Sequence, residues 1–207
     1  GIEIKGLYMD DLYFWSCYGE QSFLQYVFPL GSTRFRFLYY LAAWLEMAVV
    51  GNRVGMFVPI NIFLNAALAW MLYSIGRRLA KSKGIGFLCG AMFLVSRMAY
   101  YQIGQVLGLM ETMALWMAIL ILWYLYRFLN EEGQERRYYI ACGLYFGVCF
   151  VHERYMALIP LFFLVLIYRR SKKVWEWLAP AASFLLVQLI RAFTIGSVLP
   201  AGTGGTQ

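Results

Sequence analysis

Charge is scarce in this sequence. Asp, Glu, Lys and Arg make up 14% of its 207 residues, against about 25% in soluble domains. A single histidine and the lack of any CxxC pair leave no His/Cys cluster, so no zinc site is indicated. The four cysteines are too scattered for a disulfide framework. Cys89, Cys142 and Cys149 lie inside apolar runs, where a free thiol behaves as a small hydrophobe, and Cys17 is assigned to a loop. Alternation with a period of two, the mark of membrane barrel strands, is missing. Internal repeats and low-complexity stretches are missing too.

Hydrocarbon is what the chain has in excess. Hydrophobic residues reach 62%, where soluble domains average about 45–50%. They cluster into long runs separated by short charged knots. A bilayer core about 30 Å thick takes roughly 20 apolar residues per helix, and several runs approach that length. These runs are apolar on all sides, and backbone groups in lipid must be satisfied within the segment, so helix is the predicted type. The fold class expected is all-α, a polytopic transmembrane helical protein with interfacial juxtamembrane helices. The net charge of +7 does not point to nucleic acid. Arg77, Arg78, Lys81 and Lys83, like Arg169, Arg170, Lys172 and Lys173, sit at the ends of apolar runs, where basic residues set topology by staying in the cytoplasm. No soluble basic face exists to receive nucleic acid.

The chain reads as a single transmembrane domain, and as a fragment of a longer protein. Residues 1–53 form an outer loop with juxtamembrane helices, 54–195 the transmembrane helices, and 196–207 the start of another outer loop. Spans are predicted over 54–76, 84–101, 106–129 and 174–195. Residues 138–168 are apolar except for His152, Glu153 and Arg154. Both flanking knots are assigned to the cytoplasm, so this stretch must go out and back as a short-legged hairpin with those three residues at its apex. Residues 36–50, apolar apart from Arg36 and Glu46, are short for a span. Tyr39, Tyr40 and Trp44 suit the outer interface, and the segment is placed there. If it crossed instead, residues 1–35 would be cytoplasmic.

With this topology Asp10, Asp11, Glu20, Arg53, Arg97, Glu111, His152, Glu153 and Arg154 gather on one side. An ionised group at the bilayer centre costs roughly 2.5–3.5 kcal/mol on insertion scales, so several at one depth imply a polar cavity. Such a cavity suits a substrate with a greasy tail and an anionic head. Arginine grips phosphate with a planar fork of donors, and a carboxylate can take the proton of an attacking hydroxyl. Each residue also has a plainer reading. Asp10 and Asp11 make an ordinary solvated pair, Arg97 snorkels to the headgroups, and Glu111 favours its own helix start. His152, Glu153 and Arg154 make a hairpin turn, and His152 lacks the partners of a metal ligand.

The order of elements carries more information than any one of them. An acidic pair, Asp10 and Asp11, precedes an apolar interfacial segment. A span ending in Gly76-Arg77-Arg78-Leu79 follows, then a span-loop-span with Glu111 opening the stretch METMALW, then the hairpin with its charged apex. This pattern resembles the integral-membrane glycosyltransferases of the C-type fold, in the branch of the protein O-mannosyltransferases and the lipid A aminoarabinose transferases. Residues 29–51 resemble that branch's juxtamembrane helices and 53–79 its second span. The chain departs from the branch in having Asp-Asp where many members have Asp-Glu, and Pro29 where a proline pair is common. The branch's first span and C-terminal half have no counterpart in these residues, which leaves acceptor choice open.

The resemblance implies a donor sugar on a polyprenyl phosphate and transfer to an acceptor hydroxyl outside the membrane, with inversion. One of Asp10 and Asp11 would be the base, with Asp10 preferred, and the other would orient it or the acceptor. Arg97, Arg154 and His152 would neutralise the phosphate, with Glu111 and Glu153 completing the substrate site. No cofactor is implied, and a divalent metal is left open. The partners implied are the lipid-linked donor, membrane lipid, and a protein, glycan or lipid acceptor, in a bacterial plasma membrane with the site facing outward. The alternative is a multispan transporter or lipid flippase using the same charges as a path. Repeated halves or helices broken near the midplane would mark it, and the sequence shows neither.

Overall fold

The computed structural model describes residues 10–29, 34–51, 53–105, 108–133 and 135–196, with side chains from residue 15 onward except at 54. Among the described residues every regular element is helical. Three helices are long and apolar enough to cross a membrane: α4 (Phe57–Ala80), α7 (Gly108–Asn130) and α10 (Val174–Ile195). The described residues are therefore all-α, and the three long apolar helices support a membrane protein. It divides into two compact units, residues 1–26 with 41–113 and residues 27–40 with 114–207.

The first unit opens with the short helices α1 (Asp10–Glu20) and α2 (Phe23–Val27). Cys17 lies within α1 and is buried, not in a loop as the sequence suggested. Helix α3 (Phe37–Val50) has 14 residues. At 1.5 Å per residue it is about 21 Å long, too short for a hydrocarbon core of about 30 Å. That length fits the interfacial assignment. Aromatic rings hold these helices together: Trp44 lies 4.9 Å from Phe23 and 5.8 Å from Tyr18, centroid to centroid. Trp15, Tyr18 and Ile60 pack on a core of Met47, Val50 and Phe57.

Helices α4 and α5 (Lys83–Leu94) form a tight hairpin joined by Lys81 and Ser82. Lys81 adopts a left-handed backbone with φ of 51°, which stops α4, and the Ser82 hydroxyl accepts from Ile85 N–H to start α5. Arg77 and Arg78 fall in the last turn of α4, so the span runs further than the predicted 54–76. Glycine permits the close approach. A Cβ built on Gly86 would stand 2.7 Å from the Tyr73 carbonyl oxygen, and one on Gly90 2.9 Å from that of Ala69. Small residues four apart are the usual means of bringing membrane helices together.

The predicted span over 84–101 is broken in two. α5 ends at Leu94 and α6 (Arg97–Ile103) leaves at a bend of 54°. Ser96 explains the break. It takes an extended backbone, and its hydroxyl accepts from Ala99 N–H, capping α6 as a fresh helix. A serine side chain offers the backbone this alternative to continuing a helix. A broken helix was one of the features the sequence did not reveal.

The second unit holds most of α7, then α8 (Glu135–Cys149), a 3₁₀ turn (Glu153–Leu158), α9 (Ile159–Arg169) and α10. The hairpin over 138–168 is present, with the charged triplet at its apex. Its legs have 15 and 11 residues, so neither reaches the length of a full span. Phe128, Tyr138, Tyr145 and Phe162 form its aromatic core, with Phe128 and Tyr138 centroids 4.7 Å apart and Tyr145 and Phe162 5.4 Å apart. The loop ends are tied by charge: Arg127 and Arg137 both pair with Glu131, and Lys173 pairs with Glu135.

Candidate functional site

The apex of the second unit carries a compact charged site. Residues 150–152 follow α8 without helical structure, and the His152 imidazole accepts from Arg154 N–H at 3.4 Å to start the 3₁₀ turn. That turn aims Glu153 inward. Its carboxylate meets Arg36 in a two-pronged pair, Arg36 Nε to Oε2 and Nη2 to Oε1, both at 2.6 Å. Arg36 and Glu153 are 7% and 8% exposed. Phe35 and Phe37 on either side of Arg36 pack against Phe150, at 6.0 and 5.0 Å between centroids. The fork is thus fixed by aromatic packing on both sides.

A second arginine approaches from α10. Arg191 is 1% exposed and lies within electrostatic reach of both Arg36 and Glu153. Arg34 acts on His152, and Arg154 stands outside with its guanidinium 5.7 Å from the Tyr155 ring. Several arginines thus lie around the Glu153 carboxylate at this apex. Burial pushes the Glu153 carboxyl up, but hydrogen bonds and charge from Arg36 outweigh it and hold the group at about 2. Burial and then the Arg36 charge hold His152 below the ordinary imidazole value. It enters the site neutral at pH 7, as a hydrogen-bonding group.

Of the residues singled out from sequence, the structure brings together His152, Glu153 and Arg154. Arg97, the exposed first residue of α6, and Glu111, in the first turn of α7, belong to the first unit. Asp10 and Asp11 begin α1, in that unit as well, and their side chains lie outside the described residues. Residues 197–207, expected to start a further loop, also lie outside them. Arg36 and Arg191 were missed as site residues. The signal for each was an arginine breaking an otherwise apolar run, which in a membrane marks function by default. No group of three or more metal-ligating side chains occurs among the described residues.

No family model matches the chain, and neither a curated protein nor a solved structure matches it.

The held carboxylate has a pH signature. Glu153 adds stability that is complete above its ordinary value of 4.5 and is lost as pH falls towards 2. Acid titration of the purified protein is expected to show a loss of thermal stability below pH 4.5 that exceeds the loss in Glu153→Gln. Melting curves measured in detergent at a series of pH values check this, and parallel curves for the two proteins would refute it.

Proposed function

We propose that this protein is a multi-pass membrane glycosyltransferase. It moves a sugar from a polyprenyl-phosphate donor to an acceptor hydroxyl on the outer face of a bacterial plasma membrane. The observation that carries this reading is the charged apex, where the buried Arg36 and Glu153 pair lies within reach of Arg191. A buried, arginine-rich site stabilises the charge that grows on a departing lipid phosphate without reorganising at the moment of reaction. Glu153 fixes the Arg36 fork, neutral His152 supplies a hydrogen bond, and exposed Arg154 guides the anionic head inward. The base that deprotonates the acceptor is Asp10, with Asp11 orienting it. The resemblance supports substrate-binding roles for Arg97 and Glu111.

Transfer of a labelled sugar from polyprenyl phosphate by the chain in liposomes tests the reading. Asp10→Asn is expected to lower kcat about 10²–10⁴-fold, the usual worth of a general base. Arg154→Gln is expected to raise KM for the donor with little change in kcat. Cysteines placed at Ser16 and Ala157 should both label from outside intact cells. Labelling from opposite faces would remove the single-face site.

The α5 and α6 break favours a second reading. A helix bent by 54° within a candidate span is a feature of transporters and flippases. Movement of a fluorescent lipid across liposomes, with no sugar transfer from any polyprenyl donor, would establish that reading in place of the first.

A further inference from the structure

The first unit buries polar side-chain atoms that nothing among the described residues satisfies. Asn61 and Asn65 on α4 and Gln102 on α6 are 0% exposed, and Thr112 on α7 is 1% exposed. Backbone geometry ties them to one junction. Asn61 Nδ2 donates to the Gln105 carbonyl at 2.9 Å, and Asn65 Nδ2 donates to the Asn61 carbonyl at 2.9 Å. A Cβ on Gly108 would fall 1.8 Å from the Gln102 carbonyl oxygen, so those two backbones touch, and Thr112 follows one turn later. Left without a partner are Oδ1 of both asparagines, Oε1 and Nε2 of Gln102, and Oγ1 of Thr112. Turning the Gln102 amide end for end changes nothing, because both ends are orphaned.

Lone buried donors and acceptors are costly, and most costly in hydrocarbon. Packing does not explain their retention, since Leu or Val would fill the same space. The set includes both acceptors and a donor, so its complement must both accept and donate. A water molecule does both and makes about three hydrogen bonds when buried, so about two would satisfy the set. The chain geometry points the same way. Irregular backbone at membrane depth survives where it is enclosed by protein or lines a hydrated cavity, and the α5 and α6 break adjoins this junction. We propose that the junction of α4, α6 and the first turns of α7 is a water-binding site inside the membrane, independent of the charged apex. The ligand is water itself, held by amide and hydroxyl groups of neutral charge. The bend of α6 is held in part through it.

Water-to-amide magnetisation transfer by NMR tests this, on the whole chain in nanodiscs with nitrogen-15 at its Gln side-chain amides. The Gln102 amide, 0% exposed, is expected to show a cross-peak to water, and Gln102→Leu identifies that signal by removing it. A Gln102 amide signal with no cross-peak to water would overturn the proposal. Thr112→Val gives a second reading that does not depend on Gln102→Leu folding. A hydrated hydroxyl loses a partner on this change and the melting temperature falls by a few degrees. A melting temperature unchanged or raised would mean that the hydroxyl was dry, and would overturn the proposal as well.

Discussion

Glu153→Leu is expected to leave little folded protein. The substitution removes the carboxylate but keeps the Arg36 guanidinium, which is 7% exposed and held in a two-pronged pair at 2.6 Å. Breaking a buried ion pair by removing one member destabilises by about 3–5 kcal/mol, a large share of the roughly 5–15 kcal/mol that holds a typical domain together. Arg191 worsens the loss, because it lies in reach of the same carboxylate and is repelled by Arg36. Glu153→Gln should fall in between. It keeps one acceptor for Arg36 and loses the charge.

The double variant Arg36→Met with Glu153→Leu separates stability from function. Replacing both members of a buried pair by apolar groups of similar size is often neutral or stabilising. The double variant should therefore recover most of the melting temperature lost in Glu153→Leu while remaining inactive in sugar transfer. Cys142 and Cys149 are buried free thiols of the same unit, so a thiol-reactive dye reads its unfolding directly. If Glu153→Leu melts like the parent, the pair does not hold the apex. If the double variant is active, the arginine fork is not part of the site. Glu135→Gln serves as the contrast, since its pair with Lys173 is exposed and screened by solvent. It should change little.

Most of the helical layout was legible because lipid leaves the chain few choices. α10 forms over the predicted 174–195, and α7 begins two residues after the predicted 106. The hairpin apex falls on His152, Glu153 and Arg154, because a charged triplet cannot stay in the middle of an apolar leg. The α5 and α6 break was not legible, since its cause is a hydroxyl. Ser96 reads as a small polar residue within a span, and only its backbone geometry shows it capping a new helix. The burial of Cys17 was obscured by polar neighbours, among them Ser16, Glu20 and Gln21. The charged site was half legible. Its members at the apex are adjacent in sequence, but Arg36 and Arg191 reach it from 117 residues before Glu153 and from a separate helix. Pairing at such separation is set by packing, here by Phe35 and Phe37 against Phe150, and no local pattern encodes it.

Gly86→Leu is expected to open the α4 and α5 hairpin. Its Cβ would stand 2.7 Å from the Tyr73 carbonyl oxygen and 3.1 Å from the Arg77 nitrogen. Both are backbone atoms, so no rotamer change relieves them and the two helices must separate. Overpacking typically costs about 1–3 kcal/mol when side chains can adjust, and a backbone clash should reach the upper end or beyond. Each helix can still insert on its own, because its backbone is satisfied internally. The loss should therefore appear as lost helix contact, not as lost expression. A cysteine at Gly76 reports that contact. Its Cβ would lie 3.2 Å from the Cys89 Cβ, close to the separation of about 3.5–4.5 Å found in disulfides. Mild oxidation of Gly76→Cys should link α4 to α5, and adding Gly86→Leu should abolish the link. Gly86→Ala should weaken it, since even one methyl meets the carbonyl. Gly143→Ala in α8 is the control: nothing lies within 4 Å of its Cβ, so it should leave the link intact and improve the helix propensity of α8 by about 0.5–1 kcal/mol. A link that forms as readily with Leu at position 86 would mean that the hairpin does not depend on this close approach, and that side chains elsewhere along α4 and α5 hold it.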